Sequence, residues 1–213
     1  MFAPAVAPVK PEQIRDVAAA IARGFDDNEI WVWLIPDDRK RGRLLTRRYA
    51  AMIKHVCIPR GGAWATADLQ GGALWTPPDR LKWTLREQLH EELSLLPGLG
   101  FKGAMRGRRL YALFRAHHPT AAHYYLDTLS IDPDHQRRGY GAALLAPLLE
   151  RADTERMPVY LETQRYDNVP FYARFGFEEI GEMSLPDSPP VWKMWRPASP
   201  RPPRASSAGS GSG

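Results

Sequence analysis

Apolar positions along the chain recur with two different periods. Ile14, Val17, Ala18, Ile21, Ala22 and Phe25 follow one another at three- and four-residue spacing, opened by Pro11 and closed by Gly24. That pattern predicts an amphipathic helix. A second helix is predicted over roughly 38–57, with Leu44, Leu45, Tyr49, Met52, Ile53 and Val56 on one side. The intervening segment 26–38, which carries Trp31 and Trp33, is expected to be a connection. Residues 62–78 read as a β-hairpin around Leu69-Gln70-Gly71-Gly72. Two helices are expected at about 78–96 and 100–117, parted by Pro97-Gly98-Leu99-Gly100.

The second half alternates more regularly. His123–Ile131 predicts a strand, 140–152 a helix, Pro158–Thr163 a strand, and 168–176 a short helix ended by Gly176. Residues 177–185 and 191–196 predict a final antiparallel pair. Residues 1–9 are rich in Ala and Pro and are expected to be loose. Beyond Pro197 only Pro, Arg, Ser, Ala and Gly remain, so 198–213 is expected to be a disordered tail. One domain is left, 10–197. Its order of elements predicts an α/β fold: a mixed, largely antiparallel twisted sheet with helices on both faces.

Bulk composition narrows the class. With 213 residues, 44% of them hydrophobic and 25% charged, the chain can bury a real core. Its net charge of +5 includes Arg201 and Arg204 of the tail, and no groove-reading motif accompanies it, so a nucleic-acid partner is not expected. The single cysteine, Cys57, allows no internal disulfide and fits a reducing cytoplasm. No apolar run is long enough for a membrane span, and the first residues lack the basic-then-apolar order of a secretory signal. His117, His118 and His123 lack metal-ligand spacing, and His90-Glu91-Glu92 lacks a second histidine, so no metal is expected.

Residues 131–145, IDPDHQRRGYGAALL, carry the most chemistry. A helix starting there exposes unpaired backbone N–H groups and the positive end of its dipole, which together attract anions. Gly139 and Gly141 let a ligand approach the backbone, and Arg137 and Arg138 add charge-assisted donors suited to phosphate oxygens. A pyrophosphate is the expected ligand. The segment is not a P-loop, because no Lys-Ser/Thr follows Gly141. It departs from the dinucleotide fingerprint as well: Leu144 stands at the third glycine position, and several residues separate the strand from the glycines. On these residues alone, a glycine-rich helix cap with surface arginines remains open.

Gln136-Arg137-Arg138-Gly139-Tyr140-Gly141-Ala142 resembles the Gln/Arg-x-x-Gly-x-Gly/Ala signature of the GNAT N-acetyltransferase superfamily. Leu129, Ile131 and Pro133 precede it as that family's strand does. Tyr160-Leu161-Glu162-Thr163, Asn168, Phe171-Tyr172 and Gly176-Phe177 resemble its second block. The likeness spans roughly 10–197 and is greatest to small-molecule acetyltransferases of the puromycin N-acetyltransferase kind. It is poor over 78–118, a stretch that is expected to shape the substrate pocket.

The resemblance implies direct transfer of an acetyl group from acetyl-CoA to the amine of a small molecule, with no acyl-enzyme. Two other readings stay open: a non-catalytic CoA-binding regulatory module, and acetylation of a peptide or protein amine. Oligomeric state is open as well. By the same resemblance Gln136, Arg137, Arg138, Gly139, Tyr140, Gly141 and Ala142 hold the pyrophosphate. The strand at Leu129, Ser130 and Ile131 pairs with pantetheine, and Asn168 and Phe171 contact CoA. Tyr172 is implied as the acid that protonates the departing thiolate. A base must free the amine of its proton, since alkyl amines are mostly charged at neutral pH. Glu162 is the first candidate and Asp127 the second, although Glu162 would equally serve as a substrate or ion-pair partner. Cys57 lies on an amphipathic helix far from both motifs, as a buried structural cysteine would. Trp31, Trp33, Trp64, Trp75 and Trp83 either fill the core or line an aromatic pocket.

Overall fold

A short 3-10 turn at Pro11–Gln13 leads directly into the first helix, α1 (Ile14–Gly24), in a computed structural model that describes residues 4–82 and 84–199. Val17, Ala18 and Ile21 of α1 are fully buried, as their spacing requires. Next come α2 (Glu29–Leu34) and α3 (Asp38–Met52). A π-helical turn, Ile53–Cys57, extends α3.

Four strands and two helices build the centre: β2 (Ala63–Thr66), β3 (Gly71–Thr76), α4 (Leu85–His117), β4 (Tyr124–Ile131), α5 (Tyr140–Glu155) and β5 (Val159–Thr163). A one-turn helix α6 (Val169–Ala173), then β6 (Glu178–Met183) and β7 (Val191–Arg196), complete the order. With β1 (Val6–Pro8), seven strands form one sheet in the order β1-β2-β3-β4-β5-β7-β6. Every neighbouring pair is antiparallel except β4 and β5, which α5 connects as a crossover.

Helices cover both faces. Leu126, Val159 and Leu161 pack with Leu145, Leu148 and Ala152 of α5 and with Tyr172 and Phe177. On the opposite face Ala63, Ala65 and Leu74 pack against α1 and α3. Cys57 belongs to that second core and is fully buried, the place of a structural cysteine. Trp75 lies in the first core, and Trp31 and Trp33 pack against core clusters. Trp83 falls outside the described residues.

Three local expectations need correction. Residues 1–9 are not uniformly loose: Val6, Ala7 and Pro8 pair with Thr66, Ala65 and Trp64 at the sheet edge. Three residues are too few to show an alternating pattern, and an edge strand tolerates proline. Segment 26–38 is not a plain connection, because Asn28 Oδ1 accepts from the N–H groups of Ile30 and Trp31 and thereby starts α2. The helix expected from 78 begins at Leu85, where Thr84 and Glu87 form a reciprocal capping box. Its two expected halves do meet near Pro97-Gly98-Leu99-Gly100, at Gly100, whose φ of 63° interrupts the helical course. The expected tail lies, beyond Ser199, outside the described residues.

Candidate active site

The loop between β4 and α5 is held from below. Asp132 accepts from the N–H of Asp134 and pairs with Arg23 at the end of α1, so the chain turns sharply as it leaves the sheet. Gln136 donates its side-chain amide to the Ile131 carbonyl at 3.2 Å. Arg137 and Gly139 then adopt left-handed backbone, with φ of 60° and 85°. Such alternation curls successive N–H groups toward one concave face, an anion-binding geometry. Gly139 caps α5, and the first-turn N–H groups of Tyr140, Gly141 and Ala142 are left without intrahelical acceptors. Arg137 and Arg138 are exposed beside them.

β4 and β5 pair only at Tyr124, Tyr125 and Leu126. Beyond that point they diverge, and residues 127–131 of β4 have no β5 partner. A bulge coincides with the divergence: Thr128 stands opposite Leu74 and Leu126 opposite Trp75, which leaves Asp127 unmatched. The extra residue bends β4 away and re-aims the side chains after it. Its unpaired edge is free to bond an extended amide-bearing ligand as an added strand would.

α6 closes the α5 side of this gap. Phe171 packs against Gly141 and against the rings of Tyr172 and Phe175. Tyr172 is 7% exposed, and burial pushes its hydroxyl well above the usual tyrosine range. Asn168 donates to the Thr163 hydroxyl at the end of β5 at 3.2 Å rather than capping α6 with its side chain.

A polar and aromatic cluster occupies the opposite face. Tyr125 and Tyr160 stand in register on β4 and β5, their rings stacked with centroids 6.0 Å apart. Asp127 and Glu162 follow two residues later on each strand and so project to the same side. Glu162 is buried; its Oε1 and the Tyr160 hydroxyl make no close hydrogen bond, although the hydroxyls of Tyr125 and Tyr160 both face the carboxylate. Burial and then the Glu162 charge raise the hydroxyls of both tyrosines. Asp127 accepts from the Thr128 hydroxyl at 2.8 Å; burial raises its carboxyl, while the Arg48 guanidinium opposes that shift. His118, just after α4, lies edge-on to Tyr125 and Tyr160.

Residues 73–177 match the sequence profile of the acetyltransferase (GNAT) family, a span that contains the splayed strands, the loop and α6. That span is a GNAT acetyltransferase domain. As a GNAT enzyme it is an N-acetyltransferase. An uncharacterized N-acetyltransferase of Schizosaccharomyces pombe is 26% identical over 184 residues, which cover 79% of this chain and 72% of that protein. The fold is shared with a histone acetyltransferase HPA2 and related acetyltransferase from Corynebacterium glutamicum, with a TM-score of 0.69 and 21% identity over 94% of this chain and 99% of that one. A Drosophila melanogaster polyamine N-acetyltransferase, which forms N-acetylagmatine, has a TM-score of 0.53 and 12% identity over 91% and 99%.

Within this GNAT fold the residues singled out from the sequence fall into three groups. Gln136 to Ala142 form the loop and helix start, with the side chain of Tyr140 turned away to donate to Asp68 at 2.6 Å. Leu129, Ser130 and Ile131 lie on the divergent stretch of β4, where the Ser130 hydroxyl donates to the Ile21 carbonyl and leaves only its main chain toward the gap. Asn168, Phe171 and Tyr172 line the α6 side. Glu162 sits across the sheet from Tyr172. Arg23 and Asp132, which pin the loop, and His118, His123 and Arg48, which surround the carboxylates, were not assigned a role from the sequence. No motif marks them, and Arg23 meets Asp132, as His118 meets Glu162, only across a long stretch of chain. Among the described residues no group of three or more metal-ligating side chains occurs, and no helix is long and apolar enough to cross a membrane.

Proposed function

We propose that this enzyme moves an acetyl group from acetyl-CoA directly to the amine of a small molecule. The observation that carries this reading is the buried Glu162 carboxylate, unpartnered at Oε1, set in an aromatic wall beside the open gap between β4 and β5. The Tyr125 and Tyr160 hydroxyls and His118 Nδ1 face this carboxylate without closing a short bond to Oε1, and a protonated amine is a fitting donor for that oxygen.

The residues present fit CoA: a left-handed Gly139 at a helix start, exposed Arg137 and Arg138, and an unpaired strand edge. Bound acetyl-CoA supplies the activated thioester. Around it, the N–H groups of Tyr140, Gly141 and Ala142 and the two arginines hold the pyrophosphate. The main chain of Leu129 to Ile131 pairs with the pantetheine amides and polarises the acyl carbonyl. Glu162 orients the amine and takes its proton, and Tyr172 gives a proton to the departing sulfur. Burial keeps Tyr172 protonated until negative charge develops beside it. Asp127, whose carboxyl is raised by burial against the opposing pull of Arg48, is the second candidate for the base.

Amine acetylation by the Drosophila polyamine enzyme supports a small basic acceptor here. A cytoplasmic setting is consistent with the single cysteine. The test is a panel of arylalkylamines, polyamines and amino-sugar antibiotics incubated with purified protein and acetyl-CoA, followed by mass spectrometry and thiol release. An acetylated amine with equimolar thiol supports the reading. Thiol release without any acetylated acceptor, or CoA binding with neither, would replace it by a hydrolase or a regulatory module.

A further inference from the structure

Glu162 presents a difficulty that the acceptor chemistry creates. Its side chain is only 2% exposed, so a proton received from an amine has no direct route to water. The neighbouring hydroxyls of Tyr125 and Tyr160 are held protonated and cannot carry it away as anions. Asp127 is committed to the Thr128 hydroxyl and lies near Arg48. His118 remains. Its Nδ1 stands 3.9 Å from Glu162 Oε1, and its side chain is 27% exposed.

The tautomer of His118 follows from its other contacts. His123 is fully buried, and its Nδ1 lies 2.6 Å from the Ala121 carbonyl oxygen. A carbonyl only accepts, so His123 Nδ1 carries the hydrogen. Burial favours the neutral form of His123, so His123 Nε2 bears a lone pair. That lone pair lies 3.2 Å from His118 Nε2, which must therefore donate. Neutral His118 consequently offers the lone pair of Nδ1 to the Glu162 side. Tyr125 from β4 and Tyr160 from β5 hold the ring in this pose through edge contacts, and His123 through a tilted one.

We propose that His118 is the proton exit for the acceptor amine, taking the proton from Glu162 and passing it to solvent. This inference rests on the acetyl-transfer reading. In the sequence of steps, an N–H bond of the ammonium breaks, its electron pair stays on nitrogen, and an O–H bond forms on Glu162. That O–H bond then breaks as Nδ1–H forms on His118, restoring the carboxylate. The imidazolium then gives its Nδ1 proton to solvent, which reaches this 27%-exposed side chain, and returns to the starting tautomer. No other reactant is consumed. The present 3.9 Å is an ion-pair separation rather than a hydrogen bond, and catalytic contacts that are long without substrate tighten when it binds. His123 sets the tautomer and is a positioning residue.

The test compares wild-type protein with His118→Phe and His118→Gln. Phe keeps a ring against both tyrosines, and Gln keeps a donor for His123. Both variants are expected to lower kcat by about 100-fold near neutral pH, the low end of general acid–base contributions. The KM for acetyl-CoA should stay within about twofold, since the ring lies far from the helix start. Added imidazole, or higher pH, should restore part of the loss. A loss that is equal at every pH and unmoved by imidazole would mark a structural role and overturn the proposal. A readout besides activity is the tautomer itself, read by nitrogen-15 NMR of histidine-labelled full-length protein. Hydrogen on His118 Nε2 is expected; hydrogen on Nδ1 in the neutral ring overturns the relay whatever the activity. Failure of wild-type protein to acetylate any amine would instead remove the acetyl-transfer reading, and the relay with it.

Discussion

Phe171 stands directly against Gly141: a Cβ placed on that glycine would meet the ring Cζ at 3.2 Å. The glycine at the start of α5 and the aromatic of α6 therefore constrain each other, although thirty residues separate them. Gly139 is different, since a Cβ there meets only Pro4 at 3.8 Å but the backbone φ is 85°. One glycine is required by packing and the other by conformation.

Gly139→Ala and Gly141→Ala should consequently weaken acetyl-CoA binding for separate reasons. The first carries left-handed strain of about 1 kcal/mol, which lowers the melting temperature as well as the affinity. The second displaces Phe171 and should cost affinity with a smaller change in melting temperature. Calorimetric titration with acetyl-CoA beside thermal unfolding separates the two.

Replacing Arg137 and Arg138 together by Ala should raise the KM for acetyl-CoA about tenfold, in keeping with the loss of one or two charge-assisted phosphate contacts. The acceptor's KM should be nearly unchanged, because both side chains lie at the loop and not at the carboxylate cluster. An equal rise in both constants would contradict the assignment.

Tyr172→Phe should lower kcat by about 100-fold, a usual contribution of a general acid, with the KM for acetyl-CoA within about twofold. The ring remains in its core with Phe171 and Phe177, so folding should be preserved. Steady-state kinetics with circular dichroism checks both parts. Unaltered turnover would leave Tyr172 as a packing residue only.

His123 should make the fold sensitive to mild acid. Burial lowers its folded pKa below the ordinary 6.5, so the unfolded chain binds the extra proton first. Its stabilising contribution is complete above about pH 6.5 and falls away as pH drops through the folded value. His123→Phe should shrink the difference between urea midpoints measured at about pH 8 and about pH 5.5. An undiminished difference would place the acid sensitivity in other groups.

Sequence alone determined the periodic elements and the two motif blocks, because amphipathic spacing, glycine placement and turn chemistry are local properties. The strand from 123 to 131, the helix from 140, the closing strand pair and the mixed sheet could all be read that way. The pyrophosphate reading of Gly139-Tyr140-Gly141 rested equally on local helix geometry. What local pattern missed was short or borrowed from elsewhere in the fold. β1 is three residues long and exists only through its pairing with β2. α2 is only six residues long, four of them β-branched or aromatic, and owes its start to one Asn28 cap.

Only the tertiary structure decided how β4 and β5 part after Leu126, since that depends on a bulge at Asp127 set by pairing with β3. It alone placed Tyr172 and Glu162 on opposite faces of the gap. It also brought His118 to Glu162 across forty-four positions of the chain. Hydrogen bonds and charges act through space over a few ångströms, and residues so far apart in sequence leave no periodic trace of a contact made only when the sheet closes.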